Sequence, residues 1–276
     1  MRNSETEPVP CAICGGQDVS IFVNGSESCS VVRCRRDGLL YASPRPSRAR
    51  IERSFEAWAW ELHEQLPSRA AVLEREAAAI KALKGGGALL DVGCATGFMG
   101  KYLRESKNCK VFGVDNNIDE IRIAKTNLDQ ALLLDIERDR SQNLILNKSE
   151  RKKFDVILAT SLIEHTADPE KVLKTMINLL KPGGKIVMST PNIVHWSVRL
   201  NLLLGSFDYT DYGIMDETHL KFFTINSFKK LFEKAGLKVE RIRIDAEGGG
   251  LPRLSIALAN LFPNLFAYQI MIVGRK

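Results

Sequence analysis

The amino-acid sequence predicts an α/β protein: an open, mostly parallel seven-stranded sheet flanked by helices, preceded by a small cysteine-bearing module. Two observations carry this expectation. From Ala88 onward, short apolar runs alternate with helical or mixed segments of about 10 to 20 residues, the pattern of successive βαβ units around a parallel sheet. Before about Arg50 the chain differs in kind, holding Cys11, Cys14, Cys29 and Cys34 among short β-like runs and turn residues.

Taken in order, "VSIFV" and "CSVVRC" read as short strands of the N-terminal module, and the prolines of "SPRPSR" disfavour helix and mark its end. Residues 51–84 are expected as a helical linker or lid, rich in strong helix formers and stopped by Gly85, Gly86 and Gly87. The domain from 85 to 276 then contributes the strands "ALLDV", "KVFGVD", "ALLLDI", "FDVILAT" and "KIVMST". The helix "DPEKVLKTMINLLKPGG" follows the fourth of these. Asp168 is placed to cap it, Pro169 suits its first turn, and Val172, Leu173, Met176, Leu179 and Leu180 make one apolar face. "INSFKKLFEKAG" is a second amphipathic helix, and "LKVERIRI" and "LFAYQIMIVGRK" are closing strands.

Composition narrows the function classes. A chain of 276 residues is long enough to bury a substantial core, and 45% hydrophobic with 26% charged residues is ordinary for a soluble globular protein. The net charge of +6 is spread along the chain rather than gathered in a block such as a nucleic-acid-binding tail. No window reaches the ~18 uninterrupted apolar residues of a membrane span. The richest stretch, "LSIALANLFPNLFAYQIMIVG", is broken by Asn260, Pro263, Asn264 and Gln269 and reads as helix, turn and strand. The N-terminus lacks the apolar core of a signal peptide, so the six cysteines are expected as thiols or metal ligands in a cytoplasmic protein.

One stretch carries the chemistry. In "ALLDVGCATGFMGKYL" an aspartate ends a buried strand, just before a glycine-bearing turn and a helix. Ligands of open α/β sheets sit beyond such strand ends. There, glycine lets the backbone approach and the helix N-terminus presents N–H groups. The turn reads G-x-A-x-G, not the G-x-G-x-x-G of a dinucleotide site. A carboxylate at Asp91 would repel a pyrophosphate and suits a cationic or hydroxylic ligand. Asp115 ends the next strand, where it can accept from two ribose hydroxyls. Asp135, in "LLLDIE", can accept from an adenine amino group. Ribose and adenine without a phosphate grip point to S-adenosylmethionine.

With these motifs in hand, the chain resembles the class I S-adenosylmethionine-dependent methyltransferases, over about residues 67–276. "LLDVGCATG", "GVDNN" and "LLLDIE" correspond to the family's first three motifs, and "FDVILATSLIEHTADPEKVLKTMINLLKPGGKIVMSTPN" to its fourth strand, following helix and fifth strand. The resemblance implies a Rossmann-like domain. It also implies Asp91, Gly93 and Gly97 around the methionine part, with Cys94 in the same turn. Asp115 and Asn116 are implied at the ribose, and Asp135 with Ile136 at the adenine. Ala95 stands where the family usually has a glycine.

Methyl transfer to a hydroxyl or protonated amine needs a base. His165, just past the fourth strand, and His219, in the non-periodic stretch 195–223 expected to build an acceptor pocket, are the candidates; His195 and His63 are weaker ones. Cys11-x-x-Cys14 is half of a tetrahedral zinc site. "VVRCRRDGLLYASPRPS" resembles the second half of a zinc ribbon that precedes some sugar-modifying methyltransferases, with Asp37 at the position of the last cysteine. Cys11, Cys14, Cys34 and Asp37 are therefore either a zinc site or the remnant of one, with Cys29 a spare ligand. These resemblances lean toward a small-molecule acceptor such as a sugar, a glycan precursor or a related metabolite. An RNA-modifying enzyme and a non-catalytic scaffold are the alternatives.

Overall fold

The computed structural model describes residues 6–11, 14–23, 30–36, 38, 40–46, 87–149, 153–245 and 258–276. The expected helix over 51–84, with Trp58, Trp60 and His63, lies outside the described residues, as do Cys29 and Asp37. The chain divides into two units, Met1–Trp58 with Trp196–His219, and Ala59–His195 with Leu220–Lys276.

In the smaller unit, β1 (Thr6–Glu7) pairs with β5 (Arg45–Pro46), while β2 (Val19–Val23), β3 (Val31–Cys34) and β4 (Leu40–Ala42) form an antiparallel meander. Alternation along β3 buries Val32 and Cys34 and exposes Arg33.

The larger unit realises the expected alternation. Its elements are β6 (Ala88–Val92), α1 (Phe98–Lys107), β7 (Lys110–Asp115), α2 (Ile118–Asn127), β8 (Gln130–Leu133), α3 (Ser141–Lys148) and β9 (Phe154–Thr160). A single 3₁₀ turn, Ile163–His165, leads into α4 (Pro169–Leu179) and β10 (Leu180–Pro191). The smaller unit's α5 (Trp196–Leu203) intervenes before α6 (Ile225–Lys234), β11 (Lys238–Asp245), the short α7 (Pro263–Phe266) and β12 (Gln269–Arg275). The seven strands lie in the order β11-β12-β10-β9-β6-β7-β8, with β12 antiparallel to both neighbours. β6, β7, β8, β9 and β10 run parallel. Strand order reverses between β6 and β9, and Asp91 stands there, opposite Gly113 of β7 and Leu158 of β9.

Both faces of the sheet's central strands are covered, so these strands are largely apolar. On one face Leu90, Ile157, Ile186 and Ile272 pack with Val172 and Met176 of α4 and Phe228 and Phe232 of α6. On the other, Leu89, Val111 and Leu158 meet Leu103 of α1 and Ile121 and Ala124 of α2. The starts of α4 and α6 are capped locally. Asp168 Oδ1 accepts from the Lys171 amide, with Pro169 in the first turn, and Thr224 and Ser227 exchange side-chain-to-backbone hydrogen bonds at the start of α6.

One detail differs from the sequence expectation. β8 stops at Leu133, so Asp135 lies two residues beyond its end; β7 itself ends at Asp115, and the Leu134 amide, donating to the Asp115 carbonyl at 2.7 Å, makes the last rung of their parallel ladder. α5 does not bury one apolar stripe: Val198 is buried, but Trp196, Leu200, Leu202 and Leu203 are exposed, because consecutive leucines point to different sides of a helix. Among the described residues, no helix is long and apolar enough to cross a membrane.

Phe228 is fully buried, with Phe223 and Phe232 rings at 5.4 and 5.3 Å. Phe228→Ala is expected to lower the unfolding free energy by about 3–5 kcal/mol, measured by urea titration; a loss below about 1 kcal/mol would show that α6 is not seated on the sheet this way.

Candidate active site

The turn after β6 is built on backbone conformations that glycine favours. Gly93 and Gly97 have φ of 72° and 74°, and Ala95 adopts φ 46° despite its side chain. The Gly93 and Cys94 amides donate to the Val114 carbonyl at 2.8 and 3.1 Å, the Gly97 amide to Cys94 at 2.8 Å, and the Ala95 amide to Asp115 Oδ2 at 2.9 Å. Cys94 is thus fully engaged in the turn. Its thiol packs inward, where a Cβ on Gly113 would stand 2.7 Å from its sulfur. Burial pushes that thiol far above the usual cysteine range.

Asp91 shares the sheet face of Leu89, toward α1, and is 2% exposed. Its Oδ2 is buried and accepts no hydrogen bond. Burial foremost, and then the nearby negative charge of Asp115, raise its pKa to about 7. An orphaned carboxylate oxygen beside a tight turn is the feature that a cationic ligand group would satisfy. The ammonium of a methionine moiety fits it.

Asp115 is braced on both oxygens: Oδ2 by the Ala95 amide and Oδ1 by the Asn117 amide at 2.9 Å. An ionised carboxylate has further lone pairs, so it can still accept from ribose hydroxyls. Burial raises its pKa, and the amides of Asn117, Ala95 and Asn116 work against that shift. Asn116 is exposed beside it. Asp135 Oδ1 accepts from the Glu137 amide at 3.0 Å, and its other oxygen lies 3.5 Å from Arg138. Ile136 is buried. The structure thus brings the expected strand-end residues of the cofactor to one end of the sheet.

The rim beyond β9 holds residues that the sequence does not single out. Ser161 is an exposed non-glycine residue at φ 46°. Its amide donates to the Ser189 carbonyl at 3.1 Å and lies 3.3 Å from Ser189 Oγ. Gln269, on β12, places its amide nitrogen 3.1 Å from Ser161 Oγ and 3.2 Å from Ser189 Oγ. The next residue, Leu162, packs over the cofactor turn, its Cδ1 3.0 Å from where a Cβ on Gly93 would be. His165 closes the 3₁₀ turn and is half-buried.

His219 belongs to the smaller unit and ends a self-braced loop in which Thr210 and Met215 pair and Asp216 Oδ1 accepts from the Thr218 amide and hydroxyl. Its Nδ1 lies 3.0 Å from the Ile214 carbonyl. A carbonyl only accepts, so Nδ1 carries the proton and Nε2 the lone pair. Burial lowers its pKa and keeps it neutral at pH 7. His195 is buried edge-on against Tyr268, with ring centroids 5.6 Å apart.

Cys11, Cys14 and Cys34 come together with all three sulfurs within 4.8 Å of one another. Cys14 and Cys34 are 3.6 Å apart, close to the ~3.8 Å edge of a tetrahedron of thiolates about 2.3 Å from zinc. The Cys11 and Cys34 carbonyls each accept from a glycine, Gly15 and Gly38, in tight turns.

A sheet of this order, with carboxylates and not a phosphate-binding loop at the ends of β6 and β7, is that of the class I S-adenosylmethionine-dependent methyltransferases. Residues 62–242 match the family model described as a methyltransferase domain, and the chain belongs to this family. It is similar to ubiquinone biosynthesis O-methyltransferases of Coxiella burnetii (34% identity over 134 residues, 45% of this chain and 56% of that one). The same enzyme of Nitrobacter winogradskyi is 31% identical over 153 residues, 55% of this chain and 56% of that one. The chain thus spans little more than half the length of these curated relatives. In fold it resembles a SAM-dependent methyltransferase of Archaeoglobus fulgidus (TM-score 0.55, 21% identity, 75% of this chain and 94% of that one). It also resembles a possible histamine N-methyltransferase of Thermotoga maritima (TM-score 0.56, 18% identity, 82% and 99%).

The raised pKa of Asp91 has a measurable consequence. The folded state without ligand holds this proton more tightly than the unfolded chain. That contribution to stability is full below about pH 4 and is lost as pH rises through about 7. A cationic cofactor group needs the ionised form, so calorimetric titration at pH 6 should show weaker S-adenosylmethionine binding than at pH 8, with net proton release at pH 6. Asp91→Asn should abolish the proton release; an unchanged pH profile in that variant would remove Asp91 from the cofactor site.

Proposed function

We propose that the protein transfers a methyl group from S-adenosylmethionine to a hydroxyl of a small-molecule acceptor. The observation that carries this reading is the orphaned, buried Asp91 carboxylate at the strand-order reversal, beside a turn tied to the carboxylate of Asp115. When bound, S-adenosylmethionine supplies an electrophilic methyl group. Asp91 would hold its ammonium, Asp115 and Asn116 its ribose, and Asp135 and Ile136 its adenine, with the glycines of the turn allowing close approach.

The chain's remaining tasks are to align the acceptor's oxygen, exclude water and remove its proton. His165 and His219 are the two residues assigned to that proton. His219 supports the role by its place in the stretch 195–223. His165 supports it by its place just past β9. Oxygen as the acceptor atom follows the O-methyltransferases among the relatives. A sugar, a glycan precursor or a related hydroxylated metabolite remains the acceptor class that the N-terminal cysteine module favours.

That module is proposed to hold zinc through Cys11, Cys14 and Cys34, with Asp37 as the fourth ligand, as a structural staple for the small unit. The donor set fits: three converging sulfurs, and none of the five described cysteines in a disulfide.

Two experiments test these assignments. Wild-type protein, methyl-labelled S-adenosylmethionine and a panel of nucleotide sugars, sugars and phenols should yield one labelled product class. His165→Gln or His219→Gln should then lower kcat about 10²- to 10⁴-fold with cofactor affinity preserved. Absence of cofactor binding by the wild type would sink the enzyme reading. Separately, elemental analysis should find one zinc per chain, lost in Cys14→Ser together with a lower melting temperature of the N-terminal module; a metal-free wild type with the same melting temperature as Cys14→Ser would show that nothing is bound there.

A further inference from the structure

Ser161, Ser189 and Gln269 form a polar group at the carboxyl ends of β9, β10 and β12, outside every residue assigned above. Ser161 leaves the sheet at φ 46°, a left-handed conformation that costs a residue with a Cβ about 1–2 kcal/mol. Such a bend persists only where the surroundings impose it, and bends of this kind cluster at ligand sites. Here Ser189 imposes it, taking the Ser161 amide on its carbonyl and hydroxyl oxygens. Gln269 completes the clamp, its two amide hydrogens directed at Ser161 Oγ and Ser189 Oγ. Both serine oxygens therefore act as acceptors toward Gln269. Ser161, which is exposed, is left with its own O–H proton to donate. The residue after it covers Gly93 of the cofactor turn, so this donor stands at the edge of the cofactor site.

We propose that Ser161 is a specificity-determining residue whose hydroxyl donates a hydrogen bond to an oxygen of the acceptor, next to the oxygen that receives the methyl group. Ser189 and Gln269 are positioning residues that act through it. The acceptor class is a small molecule with vicinal oxygens. This rests on the methyltransferase reading of the same site.

Catechol and phenol are the probe pair, since they differ by one neighbouring hydroxyl. Their binding is measured by calorimetry to protein saturated with S-adenosylhomocysteine. Wild type is expected to bind catechol about fivefold more tightly than phenol, the range of one neutral hydrogen bond. Ser161→Gly keeps the left-handed bend and deletes the hydroxyl, so the preference should vanish while S-adenosylhomocysteine affinity stays within about twofold. Gln269→Glu turns the clamp into an acceptor that draws in the Ser161 proton, and should also erase the preference. Equal binding of the two probes by wild type, binding of neither, or a preference retained in Ser161→Gly overturns the proposal while leaving the cofactor site intact. Failure of wild type to bind S-adenosylhomocysteine overturns the methyltransferase reading, and the proposal with it.

Discussion

The hydrogen bond from the Ala95 amide to Asp115 Oδ2 ties together the two strand ends on which the site depends. It holds the turn after β6 in a shape that an alanine adopts only under constraint. It also fixes the Asp115 carboxylate, which the Asn117 amide holds from the other side. Asp91, at the end of β6 just before that turn, is buried with one oxygen unanswered. Two acids that burial would rather neutralise are thus kept side by side, and that arrangement is costly unless a ligand uses it.

The packing around this point serves rigidity more than strength. The turn lies between α1 and the end of β7, and the residues beneath it are selected for size. Gly113 admits the Cys94 sulfur, and Leu162 lies directly over Gly93. Side chains so close to a backbone leave little room for alternative arrangements. The rim beyond β9 is organised differently, by hydrogen bonds among Ser161, Ser189 and Gln269. Functional sites are grafted in this way onto folds that many proteins share.

What could be read from the sequence follows from how local each signal is. The strands of the sheet are apolar runs set off by turns, and α4 carries its own start signal in Asp168 and Pro169. Asp91 was legible because a carboxylate inside an apolar run has no structural excuse. The end of β8 was not legible, since it is set by where its partner β7 ends, at Asp115, and not by a breaker residue. Ser161 gave no warning either: its bend lacks a glycine, and its clamp comes from a glutamine 108 residues away. Such contacts are set by strand order, which a linear pattern does not contain. The three cysteines were visible by spacing, but their convergence required the meander that brings Cys34 to Cys14.

The placement of β12 between β10 and β11 has a consequence for how the chain is made. Both neighbours are synthesised before it, yet neither can pair with the other across the gap. A nascent chain that has completed β10 therefore presents a bare apolar edge, Ile186 to Met188, with unpaired amides and carbonyls. That edge stays open through the whole of α6 and β11. During this interval the growing protein is open to mispairing with another strand. Gln269 begins the strand that closes the gap, so its hydrogen bonds to Ser161 and Ser189 form in the same step that ends this vulnerability.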